Sequence, residues 1–215
     1  MNNIILTLEK INEKGILKTI KILFLKCYFY FYKYTFKKCK SIFIYGEMQI
    51  TGKKHIEIES FSAGSRIRID AITRYLDKKY YPLIKIGKNF VANNDIHIGC
   101  TNKVIIGDNV LLGSNIYITD HDHGIYDINT LNNSNPIERP IDRVLTNNGH
   151  VIINDNVFIG EYVVILKNVE IGIGSIIGSN SVVNKNIPPY SIAVGNPVKI
   201  VKKFDFEDKQ WKKIK

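Results

Sequence analysis

From Ile153 to Ile200 one register holds at every sixth position: Ile153, Ile159, Ile165, Ile171, Ile177, Val183, Pro189 and Gly195. The fifth place of each hexad is again apolar or small, at Val157, Val163, Val169, Ser175, Ser181, Ile187 and Ala193. Five of the places after a marker hold a small or turn-forming residue: Asn154, Gly160, Gly172, Gly178 and Asn184. A helix repeats every ~3.6 residues and a strand every ~2, and a period of six fits neither. It predicts a parallel β-helix, in which each hexad makes one short strand and a corner, and three hexads close a triangular turn. Glycine and asparagine are expected to turn those corners, because both tolerate positive φ. A sandwich of antiparallel strands is disfavoured, since its turn signals fall roughly every 8–12 residues.

The pattern recurs upstream in other phases. Ile86, Ala92 and Ile98 form one run, with Phe90, Ile96 and Asn102 in the fifth places, and Ile106, Leu112 and Ile118 form the next, with Val110 and Ile116. Ile98 and Ile106 are eight apart, which predicts a two-residue insertion near Thr101–Lys103. A ragged stretch from Ile50 to Ile69 alternates Ile56, Ile58, Ile67 and Ile69 with polar residues. The expected architecture is all-β: a single coil of about six turns over residues 49–203. Residues 1–48 are expected to form a mostly helical basic segment, and 204–215 a tail with a short C-terminal helix.

The coil pattern breaks once. After Ile118 the fifth place falls on Asp122, a charge where an aliphatic residue belongs, and the pattern resumes at His150–Ile153. Between them lies a polar excursion, loop 124–149, with Pro136, Pro140 and many asparagines. A long structureless loop inside a compact domain is usually functional. At its root stands Thr119-Asp120-His121-Asp122-His123-Gly124. Three readings of this cluster stay open. His121 can act as a general base, with Asp120 or Asp122 near enough in sequence to hold its tautomer. His121 and His123, two apart on an extended strand, can share one side as metal ligands, with His97 and His150 as candidate third donors. The cluster can also be ordinary polar loop.

The segment from Gly15 to Gly46 contains no acidic residue but carries Lys18, Lys21, Lys26, Lys33, Lys37, Lys38 and Lys40. Ile16, Ile20, Leu23, Cys27, Phe31 and Tyr34 follow helical spacing. Lysines interrupt the apolar run too often for a membrane span, which needs ~20 apolar residues. Two readings remain: a helix packed over the open end of the coil, or an interfacial segment on anionic lipid. The net charge of +10 suits an anionic surface or an anionic substrate. Cys27, Cys39 and Cys100 are odd in number and share no metal spacing, which points to free thiols in a reducing cytoplasm. The first residues lack an apolar core followed by a cleavage site, so no signal peptide is expected.

The stretch Gly113–Asp127, the loop, and Val151–Gly160 through Gly195-Asn-Pro-Val-Lys-Ile-Val201 resemble the hexapeptide-repeat sugar O-acetyltransferases. They are similar to the maltose and galactoside enzymes and, more closely, to those that decorate bacterial surface polysaccharides. The resemblance covers about Ile50 to Lys203. It implies a left-handed parallel β-helix, a homotrimer with each active site between two coils, and acetyl-CoA as co-substrate, without metal or nucleic acid. By the same resemblance His121 is the catalytic base. Asn93 contacts the acceptor and Asp95 helps set its site, while His123 is open to either buttressing His121 or contacting the acceptor. Phe158, Gly160, Glu161, Gly178 and Ser179 line the thioester and pantetheine arm, and Lys185, Lys199 and Lys202 meet the nucleotide phosphates.

The implied acceptor is a hydroxyl of capsule or lipopolysaccharide, acidic or lipid-linked. The implied location is cytoplasmic, with peripheral contact at the inner face of the membrane. Relatives commonly carry tryptophan where this chain has Phe158, and the basic N-terminal segment departs from the compact maltose-type enzymes. Two further classes stay open: an N-acyltransferase on an amino sugar nucleotide, and a metal-dependent hydratase like the γ-type carbonic anhydrases.

Overall fold

The six-residue register folds as three flat faces of parallel strands wound into a triangular coil, described for residues 15–214 of a computed structural model. One face stacks Ile50, Ile69, Ile98, Ile118, Ile165 and Val183 in a single inward column. A second stacks Ala63, Ala92, Leu112, Ile159, Ile177 and Ala193. A third stacks Ile58, Ile86, Ile106, Ile153 and Ile171. The side chains of these columns are almost wholly buried, whereas Pro189 and Gly195 of the expected register are exposed and half-buried. The strands are short because each must end at a corner after about one hexad. The step between stacked strands is 18 residues in the C-terminal turns, as at Phe158 and Ile176.

The corners work differently from the sequence expectation. Positive φ falls on Asn156, Tyr162, Asn168, Gly174 and Asn180, again six apart. Gly160, Gly172 and Gly178 are required for close approach instead. A Cβ on Gly160 would lie 2.7 Å from the Ser179 nitrogen, and one on Gly172 2.3 Å from the Pro189 nitrogen. Asparagine carries most of the left-handed positions because its short polar side chain lowers their cost.

The coil starts earlier than predicted. Lys38–Ile44 already pairs in parallel with Ile56–Ala63, so the boundary lies near residue 38 rather than 48. The helix α1, Ile16–Tyr32, precedes it. Leu25, Phe29 and Tyr32 of α1 pack on the coil end, with Phe29 buried and its ring 5.7 Å from that of Phe43. The expected apolar face points the other way: of its residues Ile20, Leu23, Cys27, Phe31 and Tyr34 are exposed, as is Phe24 beside them. The leader expectation concerns residues 1–14, which lie outside those described.

The predicted C-terminal helix is not found among the described residues. Lys199–Asp205 and Gln210–Lys213 form an antiparallel hairpin, joined to Ser191–Val194. Strand-forming Ile200, Val201, Phe204 and Trp211 favour extension. The last parallel strand also offers an open edge, which the hairpin pairs.

Two excursions leave the coil. Between Ala71 and Leu83 a small hairpin forms from Arg74–Tyr75 and Lys78–Lys79. The larger one separates Tyr117 from its partner Val164. Its stem is a short antiparallel ladder: Gly124 N–H donates to Val144 (2.8 Å), and Thr146 N–H to Asp122 (3.1 Å). Tyr80 of the small excursion clamps this stem, its hydroxyl accepting from Leu145 N–H at 3.1 Å.

Candidate active site

The chain leaves the coil two residues before the expected Asp122. Thr119, Asp120 and His121 are all buried, and Asp120 is fully enclosed. Asp122 turns outward to an ion pair with Lys167 at 2.6 Å. A buried carboxylate needs several partners to stay charged, and Asp120 has them. Its Oδ1 accepts from Thr101 N–H (2.9 Å), and its Oδ2 from Asn102 N–H (2.8 Å) and Lys103 N–H (2.7 Å). Three successive backbone N–H groups thus converge on one anion, a cradle of the kind that binds phosphate elsewhere. The cradle is the two-residue insertion expected at Thr101–Lys103.

The fourth strong partner of Asp120 is the His121 ring, its Nδ1 2.9 Å from Oδ1. Among the described residues this is the contact that selects a tautomer. Nδ1 donates to the carboxylate and Nε2 is left as an acceptor. Burial opposes ionisation of Asp120 most strongly. Hydrogen bonds from His121, the cradle N–H groups and the Cys100 thiol outweigh it and hold the carboxyl below its usual range. Cys100 is buried, and its S–H donates to Asp120 at 3.2 Å. Burial and the neighbouring carboxylate push that thiol far up, so it stays protonated and is no nucleophile.

Glycines make the room. The imidazole lies over Gly99, where an added Cβ would come within 3.1 Å of His121 Cε1. At Gly149, where the loop returns, a Cβ would strike the Asp120 carbonyl oxygen at 1.9 Å. His121 opens onto a cavity of about 630 Å³. His97, Tyr117, His123 and Tyr126 line it, with Arg68 and Asp70 at one side. His123 packs edge-on against Tyr75, with ring centroids 5.3 Å apart. His97 Nε2 is 3.4 Å from Asp70, while Arg68 donates to the same carboxylate at 2.6 Å. Burial, then the Arg68 charge, lowers the pKa of His97, which stays neutral near pH 7. Among the described residues no group of three His, Cys, Asp or Glu is placed to hold a metal ion.

The other candidate residues lie on a different corner. Ser65 N–H donates to Asn94 there and Glu161 N–H to Ser179, with Asn93 and Gly113 at the same edge. Asp95 is held by Arg66 through two bonds of 2.5 Å. Gly160 and Gly178 follow one turn apart, and Phe158 is partly exposed on the adjoining face. The Glu161 N–H donates to Ser179 Oγ (3.1 Å), whereas the Ser179 N–H meets no acceptor among the described residues. Lys199 pairs with Val194 beside Gly178, at the head of this track. Lys202 lies farther along the same hairpin strand. Lys185 sits one turn above Lys167, on the His121 side.

Residues 150–185 match the bacterial transferase hexapeptide (six repeats) family. A protein assigned to O-acetyl transfer in lipopolysaccharide biosynthesis, WbbJ of Escherichia coli strain K12, is 34% identical over 72% of this chain and 74% of its own length. The galactoside O-acetyltransferase of the same strain is 35% identical over 60% of this chain and 58% of its own. Among solved structures, a hexapeptide-repeat acetyltransferase from Vibrio cholerae superposes with a TM-score of 0.53 at 21% identity, covering 90% of both chains. A maltose O-acetyltransferase from Clostridium difficile 630 gives 0.53 at 24%, covering 88% of this chain and 89% of its own. With them the coil is a left-handed parallel β-helix, an exception to the usual crossover hand, and the chain belongs to the hexapeptide-repeat O-acetyltransferases.

Proposed function

We propose that this enzyme moves an acetyl group from acetyl-CoA to a hydroxyl of a bacterial surface glycan, capsule or lipopolysaccharide, with His121 as general base. The observation that carries the reading is the buried Asp120–His121 pair opening onto the cavity at the root of the loop. Nε2 of His121 takes the hydroxyl proton as the sugar oxygen attacks the thioester carbon. The carbonyl electrons move onto oxygen, where the unpaired Ser179 N–H is the favoured donor. Collapse breaks the C–S bond, and the imidazolium returns its proton to the departing thiolate. Asp120 stabilises that imidazolium while it lasts.

The same layout supports a homotrimer. On one chain, His121 and the Ser179 corner flank opposite edges of one face. About six strand residues separate them, or ~20 Å, whereas reacting atoms must approach to ~3–3.5 Å. Base and cofactor track are therefore assigned to neighbouring copies. Ile128, Leu131 and Ile137 stand fully exposed on the loop, as a segment that covers a second coil would. Asn93, Asp95 and His123 are assigned to the acceptor. Phe158, Gly160, Glu161 and Gly178 are assigned to the thioester arm, and Lys185, Lys199 and Lys202 to the phosphates, where positive charge is needed.

The net charge of +10 favours an acidic acceptor. The three free cysteines support a cytoplasmic site of action, at the inner face of the membrane. The test is transfer of labelled acetyl from acetyl-CoA to a panel of capsule and lipopolysaccharide fragments, acidic ones first, with amino sugars competing. Faster labelling of an amine would move the assignment to N-acyl transfer. Wild-type rates in His121→Ala would remove the mechanism.

A further inference from the structure

Helix α1 has two apolar faces, and the coil uses only one. At about 100° per residue, Leu25, Phe29 and Tyr32 point one way and pack on the coil end. Ile20, Leu23, Phe24 and Phe31 point the opposite way and are between 57% and 72% exposed. Tyr34 continues that stripe beyond the helix. Lysines flank it: Lys21 on one side, Lys26 and Lys33 on the other. Among the described residues Lys18, Lys21, Lys26 and Lys33 meet no carboxylate, and no acidic side chain occurs between Gly15 and Gly46.

A second feature lies beside the stripe. A cleft of about 280 Å³ runs between α1 and the Lys38–Ile44 strand, with Lys26, Lys33 and Lys40 around a floor of Phe29, Tyr30 and Phe43. Lys40 shares Glu59 with Lys38, which leaves Lys26 and Lys33 as the free charges. Lys33 sits over the Tyr30 ring, its Nζ 4.7 Å from the centroid.

We propose that the outer face of α1 docks the enzyme on an anionic bilayer. The Ile20–Phe31 stripe enters the interface, and the lysine cleft receives lipid phosphate. Apolar side chains flanked by lysines, with tyrosines at the margin, match the headgroup boundary, where each lysine adds electrostatic attraction. A second copy is the poorer occupant, because a two-fold contact would set the unneutralised lysines of one stripe against those of the other. No helix among the described residues is long and apolar enough to cross a membrane, so this contact lies in the interface plane. The proposal builds on the reading of a membrane-associated glycan as acceptor but is tested apart from it.

The full chain is sedimented with large vesicles of phosphatidylcholine alone, or with added phosphatidylglycerol, at low and high salt. Binding is expected only with the anionic lipid, and weaker at high salt. Lys26→Gln with Lys33→Gln should lower affinity about fivefold per lysine. Phe24→Ser with Phe31→Ser should abolish binding, while both double variants keep the oligomeric mass and acetyl transfer to a soluble acceptor. Equal binding to neutral vesicles, or none to anionic ones, overturns the proposal. So does a fall in oligomeric mass in the phenylalanine variant, which would give the stripe to another copy. Binding that appears only after removal of residues 1–14 would assign the stripe to that segment and equally overturn it. Loss of acetyl transfer in His121→Ala reports on the enzymatic reading alone.

Discussion

Replacing Asp120 with asparagine keeps the shape of the side chain and removes its charge. The wild-type carboxylate receives Thr101 N–H and His121 Nδ1–H on one oxygen, and Asn102 N–H and Lys103 N–H on the other. An amide presents NH2 to one of these pairs whichever way it is turned. Two strong donors then lose their acceptor in a fully buried place. An unsatisfied buried donor costs ~1–3 kcal/mol, so Asp120→Asn should lose about 2–6 kcal/mol of stability. Either way His121 loses the charge that stabilises its protonated form, and with NH2 turned toward it the ring also loses the acceptor that fixes its tautomer. General-base action is worth ~10²–10⁴ in rate, and kcat should fall by at least about a hundredfold. The assay is continuous detection of released coenzyme A thiol, with thermal unfolding measured in parallel.

The pH dependence gives a separate check. The folded-state pKa of Asp120 lies below its usual value. Its charge therefore contributes stability above the unfolded pKa, about 3.9, and that contribution is lost as pH falls through the folded value. The Tm gap between wild type and variant should hold from neutral pH to about 5 and shrink below about 4. His121→Ala is the comparison, because it removes the base and leaves the cradle filled. An Asp120→Asn enzyme with wild-type kcat and Tm would refute the assignment of Asp120 as the residue that positions His121.

Other variants read other parts of the layout. Gly99→Ala places a methyl 3.1 Å from His121 Cε1; a few tenths of an ångström of displacement should lower kcat about tenfold, with Tm little changed. Gly160→Ala would put its Cβ 2.7 Å from the Ser179 nitrogen. It should raise KM for acetyl-CoA and cost about 1–3 kcal/mol by overpacking, read by kinetics and denaturant unfolding. Ile165→Ala opens a hole in a fully buried column and should cost about 2–5 kcal/mol, measured by urea unfolding, with the chemical step preserved where the protein folds. A Gly160→Ala enzyme with unchanged KM would remove that corner from the cofactor track.

Architecture was legible because the constraint repeats. Each inward position of a coil meets the same environment one turn later, so Ile153 through Val183 spell one column side after another. The ends were less legible because they are made once. Periodicity marks the apolar positions of α1 but cannot say which of two apolar faces a neighbour will use; Phe29 packs and Phe31 does not. The C-terminal hairpin answers a need of the last strand edge, to which Phe204 and Trp211 are the local clue in residues 204–215. The corner glycines Gly160 and Gly172 answer to close packing rather than to positive φ. Their backbone is ordinary, and it is the neighbouring turn's Ser179 or Pro189 that leaves no room for a Cβ.

The site was legible in two fragments whose connection was not. The sequence marks an insertion at Thr101–Lys103 and, some twenty residues on, an acidic and histidine-rich loop root. In a coil the neighbour of a residue is one turn away, so these fragments touch. The extra residues let the backbone turn three N–H groups toward one point, and Asp120 fills that point. The chain can then leave the coil at Asp120 rather than at Asp122, because the charge that would be intolerable in the apolar interior is bound at its edge. A regular turn of 18 residues, like those of the C-terminal half, has no slack for such a cradle. The irregularity of one turn is thus the condition for holding His121 in place on the next, and a coil restored to strict hexads by deleting two residues from Thr101–Lys103 should keep its core and lose the base.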